Sequence, residues 1–331
     1  MQETKSEVRP LSKHFYDSFR PVYEDFCKYA FTEYKFELEP LCYKDFFESV
    51  EKGLINCLIY LENNIPKAFL IYTLAISESI ELNIIHSRDF ENIAQRSSAL
   101  VKYFMEEVQV ERKSKVVCYP MLGRQRGLVG DISLLGFKFV GIAVLRFMLH
   151  ETTSRRILNL AEIDSLPTGY EIKSWNDKYM NEAVRVVHNA FETSADALFD
   201  TRFSSLDGTY DILNKIVTNV YADFMPEASS VLFYDSKPVG FCFANVMGGK
   251  VVNIPIFAIA KEHQSKGLSK YLLAETLHKV IAFSEEDEMP ISEICTNTET
   301  NNFQALKMYR NLGFKEDFNY PQSYLPVLSE V

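Results

Sequence analysis

The chain has 331 residues, 47% hydrophobic and 24% charged, with 13 Gly and 12 Pro. That length is more than one core usually holds, so two domains are expected, and the composition excludes a disordered, collagen-like or coiled-coil chain. Lys+Arg 35 against Asp+Glu 45 leaves a net charge of −10, which argues against nucleic acid as the main partner.

Residues 10–50 read as helical, with Phe15, Phe19, Val22, Tyr23, Phe26 and Tyr29 at helical spacing. Strands are predicted at 57–62, 67–76 and 79–86, the first two joined across Asn63-Asn64-Ile65-Pro66. A helix is predicted over 90–109, then strands at 115–119 and 134–149. Residues 150–168 are polar and end in Leu166-Pro167-Thr168-Gly169, which places a boundary there and gives domains 1–160 and 161–331. The second part repeats the order. A strand at 170–175 and a helix over 176–193 precede a hairpin, 230–235 and 239–246, turning at Ser236-Lys237-Pro238. A strand over 250–260 follows Gly248-Gly249. A helix over 267–283, a strand at 291–296, a helix over 302–312 and a strand pair near 314–328 complete it.

The two parts can be laid on each other. Pro66 and Pro238 stand 172 residues apart (238 − 66 = 172), as do Phe69 and Phe241. LLGFK (134–138) matches NLGFK (311–315), with Gly136 and Gly313 separated by 313 − 136 = 177. The drift of a few residues is a loop insertion, and the chain reads as a divergent tandem repeat.

Chemistry concentrates in IFAIAKEHQSKGLSKYLL (256–273). An apolar strand gives way to a polar loop, and a helix starts beside Gly267. Glycine lets the backbone approach a ligand, and the amides of a first helical turn are unpaired donors that favour phosphate. Lys266 and Lys270 add positive charge. Downstream, NNFQALKMYRNLGF (301–314) sets Asn302, Ala305, Tyr309, Gly313 and Phe314 on a helix closed by a glycine.

Together these segments resemble the GNAT superfamily of acyl-CoA N-acetyltransferases. Gln264, Gly267 and Ser269 match its Q/R-x-x-G-x-G/A pyrophosphate loop, with Ser269 departing from the usual Gly or Ala. Asn302, Ala305, Tyr309, Gly313 and Phe314 match its N-x-x-A-x-x-x-Y-x-x-x-G-F helix. The resemblance covers about 170–328 and implies an α/β (α+β) fold of two tandem GNAT-like domains, each a mixed, mostly antiparallel sheet flanked by helices. It implies acetyl-CoA as co-substrate, with Gln264, Ser265, Lys266, Gly267, Leu268, Ser269, Lys270 and Asn302 around it. Phe257, Ala258 and Ile259 would present backbone groups, on a strand that splays where Pro255 breaks the ladder. Tyr309 would be the catalytic acid. The acceptor would be a primary amine of a small molecule or peptide.

The first part looks like a worn copy. HSRDFENIAQRSSALV (86–101) contains no glycine, places Asp89 and Glu91 where phosphate would lie, and Ile132 stands where Tyr309 does. Cofactor binding is not expected there. The arrangement resembles, in architecture and not in substrate, that of the mycothiol synthase family.

Other chemistry lacks support. Six scattered cysteines and six histidines form no metal-binding set, and no G-x-S-x-G elbow occurs. No stretch suits a membrane span, and a cytoplasmic protein with reduced thiols is expected. Glu192, Asp196 and Asp223 are the candidate bases, each a surface carboxylate by default. The run Ser284-Glu285-Glu286-Asp287-Glu288 reads as a solvated loop. Two rival readings remain: a non-catalytic acyl-CoA-binding module, and a transferase using another donor, such as an aminoacyl group.

Overall fold

The computed structural model describes residues 5–34, 40–74, 79–149, 166–248, 250–286 and 291–327. Two compact units form, Met1–Val140 with Tyr320–Val331, and Gly141–Asn319. The expected division at residue 160 lies outside the described residues, as do Gly249 and much of the acidic run after Ser284.

The first unit opens with strand β1 (Ser6–Pro10), which the sequence reading does not anticipate, and the expected helical stretch is two helices, α1 (Tyr16–Glu33) and α2 (Tyr43–Glu51). Strands β2 (Asn56–Glu62), β3 (Ile65–Thr73) and β4 (Ile80–Ser87) follow, then helix α3 (Ile93–Glu107), strand β5 (Val117–Tyr119) and helix α4 (Leu128–Leu134). β2 and β3 turn at Asn63 (φ 50°) and Asn64 (φ 62°), two residues that tolerate the left-handed region a tight hairpin demands. The strands run antiparallel from β1 to β4, β4 is parallel to β5, and β5 pairs with Ser323–Leu325. Leu58, Leu70, Leu82, Leu100 and Phe104 fill the core between sheet and helix. The strand expected over 134–149 begins only at Lys138, because α4 runs to Leu134 and closes at Gly136 (φ 93°).

Strand β6 (Lys138–Met148) gives Ile142–Met148 to the second unit, antiparallel to β14 (Glu293–Glu299). Between them come β7 (Tyr170–Ser174), helices α5 (Met180–Phe191), α6 (Ala195–Phe199) and α7 (Leu206–Val217), and β8 (Asp223–Phe224). The hairpin β9 (Ser230–Tyr234) and β10 (Lys237–Cys242) turns at Asp235 (φ 46°) and Ser236 (φ 66°), as its counterpart does. β11 (Asn245–Met247), β12 (Val251–Asn253), β13 (Phe257–Ile259) and helix α8 (Leu268–Glu286) lead to β14, helix α9 (Phe303–Asn311) and a single strand, β15 (Lys315–Leu325), where a pair is expected.

Two strand sets result, β6-β14-β12-β11-β8 and β13-β10-β9-β7. Pairing is antiparallel except for β12 with β14. Leu268, Leu272, Leu273, Leu277, Leu306 and Tyr309 cover one face with Leu232, Cys242, Val252 and Ile294. Ala183, Val187, Leu213 and Ile216 cover the other with Val231, Phe233, Phe241, Phe243 and Ala258. Strand alternation assigns each residue to its side, and the loop before α8 lies at the end of this sandwich.

Candidate active site

The strand expected over 250–260 is two short strands with Ile254-Pro255-Ile256 between them, and this break opens the site. β12 runs parallel to β14 as far as Asn253 opposite Cys295, and the Ile254 N–H still reaches the Cys295 carbonyl at 3.0 Å. Pro255 has no N–H to continue that ladder. Beyond it, among the described residues, β13 pairs only with β10, with Phe241 opposite Ala258. The Ala260 N–H donates to Val239 (2.8 Å) and the Phe243 N–H to Ile256 (2.9 Å), so Ala258 also faces β10 and the backbone groups of Phe257 and Ile259 face the opposite edge. Among the described residues no strand lies along that edge. β14 instead continues along β6 to Glu299 opposite Ile142.

The open edge leads into the loop. A turn of 3-10 helix at Lys261–His263 ends at Gln264, whose side-chain amide donates to the Ile259 carbonyl at 2.7 Å. Gln264 therefore braces the loop against the strand. Ser265 (φ 60°) and Gly267 (φ 72°) lie in the left-handed region, and no atom comes within 4 Å of a Cβ built at Gly267. Glycine is favoured there by its backbone angle, while the space beside it is open. Gln264, Ser265, Lys266 and Gly267 are exposed, and Leu268 anchors the start of α8 in the core. Ser269 is half-buried, and the Lys270 ammonium sits 4.6 Å from the Tyr271 ring centre. The base of the loop is fixed by a contact the sequence does not reveal: the Tyr170 hydroxyl and His263 Nδ1 are 2.8 Å apart, with Tyr234 packed on both rings. Partial burial, and then the charge of Lys266, lower the His263 pKa.

Tyr309 packs beside the broken strand. It is 3% exposed, 6.5 Å from the Phe257 ring and 5.2 Å from Phe314. Its phenol hydrogen-bonds with the Thr296 side chain, and burial pushes its pKa well up. Thr296 Oγ1 itself donates to the Ile254 carbonyl at 3.3 Å, which leaves its lone pairs to accept the phenol proton. Tyr309 owes its position to the helix end. The Phe314 N–H bonds the Tyr309 carbonyl (3.0 Å) and the Gly313 N–H the Arg310 carbonyl (3.1 Å), with Gly313 at φ 101°. This is a Schellman closure, and the Tyr309–Phe314 ring contact is its hydrophobic clasp. Asn302 accepts from the Ala305 N–H at 3.2 Å, so its side-chain oxygen is spent on capping α9 and only its amide nitrogen is left for a ligand.

The candidate bases are not gathered together. Glu192 lies 3.7 Å from Lys261 and 3.5 Å from His188. Asp223 is an exposed residue paired across from Val246. Asp196, exposed as a residue, has its carboxylate 3.1 Å from Ser194 Oγ; desolvation, against that hydrogen bond, raises its pKa, with the charges of Glu299 and Asp200 adding to the rise. The sequence reading misses Glu299, which accepts from the Ala195 N–H at 3.2 Å and so ties the turn before α6 to the last residue of β14. Among the described residues no group of His, Cys, Asp and Glu could hold a metal ion, and no helix is long and apolar enough to cross a membrane.

Residues 227–316, which span the open edge, the loop and α9, match the family model of the acetyltransferase (GNAT) domain. The second unit carries a GNAT acetyltransferase domain. The fold of the whole chain resembles solved GNAT structures. A GCN5-related N-acetyltransferase from Sphaerobacter thermophilus superposes with a TM-score of 0.65 at 12% identity, covering 98% of this chain and 97% of that one. A tandem GNAT protein from the clavulanic acid biosynthesis pathway gives 0.55 at 11%, covering 99% and 100%. A glucosamine N-acetyltransferase region of a fungal multi-domain β-N-acetylglucosaminidase gives 0.60 at 9%, covering 98% of this chain and 38% of that one. At these identities the likeness is one of fold, here two tandem GNAT-like domains. No curated protein sequence matches the chain.

Proposed function

We propose that this protein is an acetyl-CoA-dependent N-acetyltransferase that acylates a primary amine of a small molecule or peptide in its second unit. The observation that carries the reading is the unpaired edge of β13 running into an exposed glycine loop at the start of α8. Phe257 and Ile259 offer backbone groups to an extended amide chain, and Gln264 to Lys270 surround the loop and first-turn amides that suit a pyrophosphate. The Ile259 N–H is the donor for the oxygen that gains charge as the amine attacks. The new N–C bond forms as the C–S bond breaks, the amine gives up its proton to a base or water chain, and Tyr309 protonates the departing thiolate. The first unit is a degenerate copy that does not bind acyl-CoA, since its loop has no glycine and carries Asp89 and Glu91. Six free thiols, four of them buried, favour a reducing compartment, the cytoplasm.

A panel of primary amines, scored by free-thiol release from acetyl-CoA, tests the reaction; no release with any amine would refute it. The cofactor site is tested by calorimetry on Gly267→Glu, which adds bulk and negative charge beside the phosphates. Acetyl-CoA binding is expected to vanish while the domain stays folded, and unchanged affinity would sink the site. The second reading, a non-catalytic acyl-CoA-binding module, draws on one observation: Tyr309 is buried with its hydroxyl engaged by Thr296.

A further inference from the structure

The two repeats differ most at the edge that the second unit leaves open. His86 pairs with Phe69 as Ala258 pairs with Phe241, and both pairs keep the 172-residue offset of Pro66 and Pro238 (258 − 86 = 172). Ile85 and Ser87 are therefore the counterparts of Phe257 and Ile259. Their N–H groups are not open. The Ile85 N–H donates to the Leu122 carbonyl at 3.0 Å, the Ser87 N–H to the Arg124 carbonyl at 3.1 Å, and Ile84 forms a parallel bridge with Leu122.

The cause lies just after β5. Whereas β14 runs on along β6, the chain after Tyr119 keeps its parallel course beside β4, taking up one extra residue (118 − 81 = 37; 122 − 84 = 38) in a stretch where Met121 (φ 56°) and Gly123 (φ 98°) are left-handed. A Cβ on Gly123 would come within 1.9 Å of the Ile85 carbonyl oxygen, so only glycine fits this approach. The Gly123 N–H also donates to the Tyr34 hydroxyl at 3.2 Å. The Arg124 backbone N–H donates to His86 Nδ1 at 3.1 Å, which fixes the proton on Nε2, 2.9 Å from Asp25. The Arg124 guanidinium reaches Asp25 (2.7 Å) and the Ser87 (3.1 Å) and Arg88 (2.6 Å) carbonyls. At the phosphate end, the buried Arg96 is engaged by Glu62 (2.9 Å), Asp89 (2.5 Å) and Ser87 Oγ (3.1 Å).

We infer that Met121–Arg124 is an internal plug: it occupies, by main-chain pairing with β4, the edge along which the second unit would hold the extended amide chain of acyl-CoA. The inference rests on the proposed reading of the second unit, whose open edge is its reference. The plug closes the first unit even if its loop were given a glycine, and it makes the acyl-CoA stoichiometry one per chain.

Residue-resolved hydrogen exchange on the full chain, with and without acetyl-CoA, tests this. Without ligand, the Ile85 and Ser87 amides should exchange at least ~10²-fold more slowly than those of Phe257 and Ile259. Acetyl-CoA should slow Phe257 and Ile259 and leave Ile85 and Ser87 unchanged. Gly123→Ala should speed Ile85 and Ser87 by ~10-fold or more without altering acetyl-CoA affinity. The plug is refuted if Ile85 and Ser87 exchange as fast as Phe257 and Ile259, or if acetyl-CoA slows them. If they are slow and the ligand leaves Phe257 and Ile259 untouched, the plug stands and the reading of the second unit fails.

Discussion

On the proposed function, Tyr309 is one residue asked to do two things. As a core side chain it fills space against Phe314 and Phe257 and gives its hydroxyl to Thr296. As an acid it must hand that proton to a thiolate, and burial helps by keeping the phenol protonated across the working range of pH. A thiol of pKa near ~8.5 is already a fair leaving group, so the assistance needed is modest. Tyr309→Phe is expected to lower kcat by about 10²-fold with acetyl-CoA affinity nearly intact. The lost hydroxyl leaves Thr296 one bond short, for about 1 kcal/mol of stability. Measuring kcat and Tm on the same variant separates the roles: wild-type turnover with a lowered Tm would leave only the packing role.

Among the elements, α9 and α4 share one local device with different side chains at its centre. In α9, Gly313 closes the helix with bonds to Arg310 and from Phe314 to Tyr309. In α4, Gly136 bonds Ser133 and the Phe137 N–H bonds Ile132, the same closure with isoleucine where the tyrosine stands. Both glycines sit at positive φ, where a Cβ costs about 1–2 kcal/mol. Gly313→Ala should therefore lower the Tm of the second unit by several degrees, by about 2–4 °C per kcal/mol for a unit of the size of Gly141–Asn319. It should also reduce kcat, because the helix end that positions Tyr309 is the part strained. An unchanged Tm would show that the closure relaxes without cost, and an unchanged kcat that Tyr309 does not depend on it.

On the scale of the whole molecule, acid stability should report the first unit. His86 is fully buried, and burial lowers its pKa to about 4; the Asp25 hydrogen bond opposes that fall, and the Arg124 charge adds to it. An unfolded histidine takes up its proton near pH ~6.5 and the folded one only near pH 4, so between these values the unfolded chain binds more protons. Stability from this group is full above pH ~6.5 and falls as pH drops towards 4, by at most about 3 kcal/mol. Urea midpoints taken from pH 7 to 4 should show that fall, and His86→Asn should flatten it. A fall of the same size in the variant would assign it to other groups.

The sequence by itself determined the order of most of the longer elements, the two hairpins, the helix closed at Gly313 and the repeat offset. Each is set by neighbours in the chain: Asn63-Asn64 carries its own turn, and Tyr309, Gly313 and Phe314 define a helix end at fixed spacing. It also supplied the loop from Gln264 to Lys270, because a strand, a glycine and a helix start are local features. Only the tertiary structure decided which edge is open. The corresponding N–H groups on β4 and β13 are sealed in one repeat and, among the described residues, unpaired in the other, and the difference is whether the chain after the parallel strand stays beside β4 through Gly123 or runs on along β6. The Tyr170–His263 contact, the Thr296 bond to Tyr309 and the Glu299 tie to Ala195 were equally hidden. Each joins residues 13 to 104 positions apart (309 − 296 = 13; 299 − 195 = 104). A hydrogen bond between such residues leaves no periodicity in sequence; it exists only once packing has brought the partners within about 3 Å.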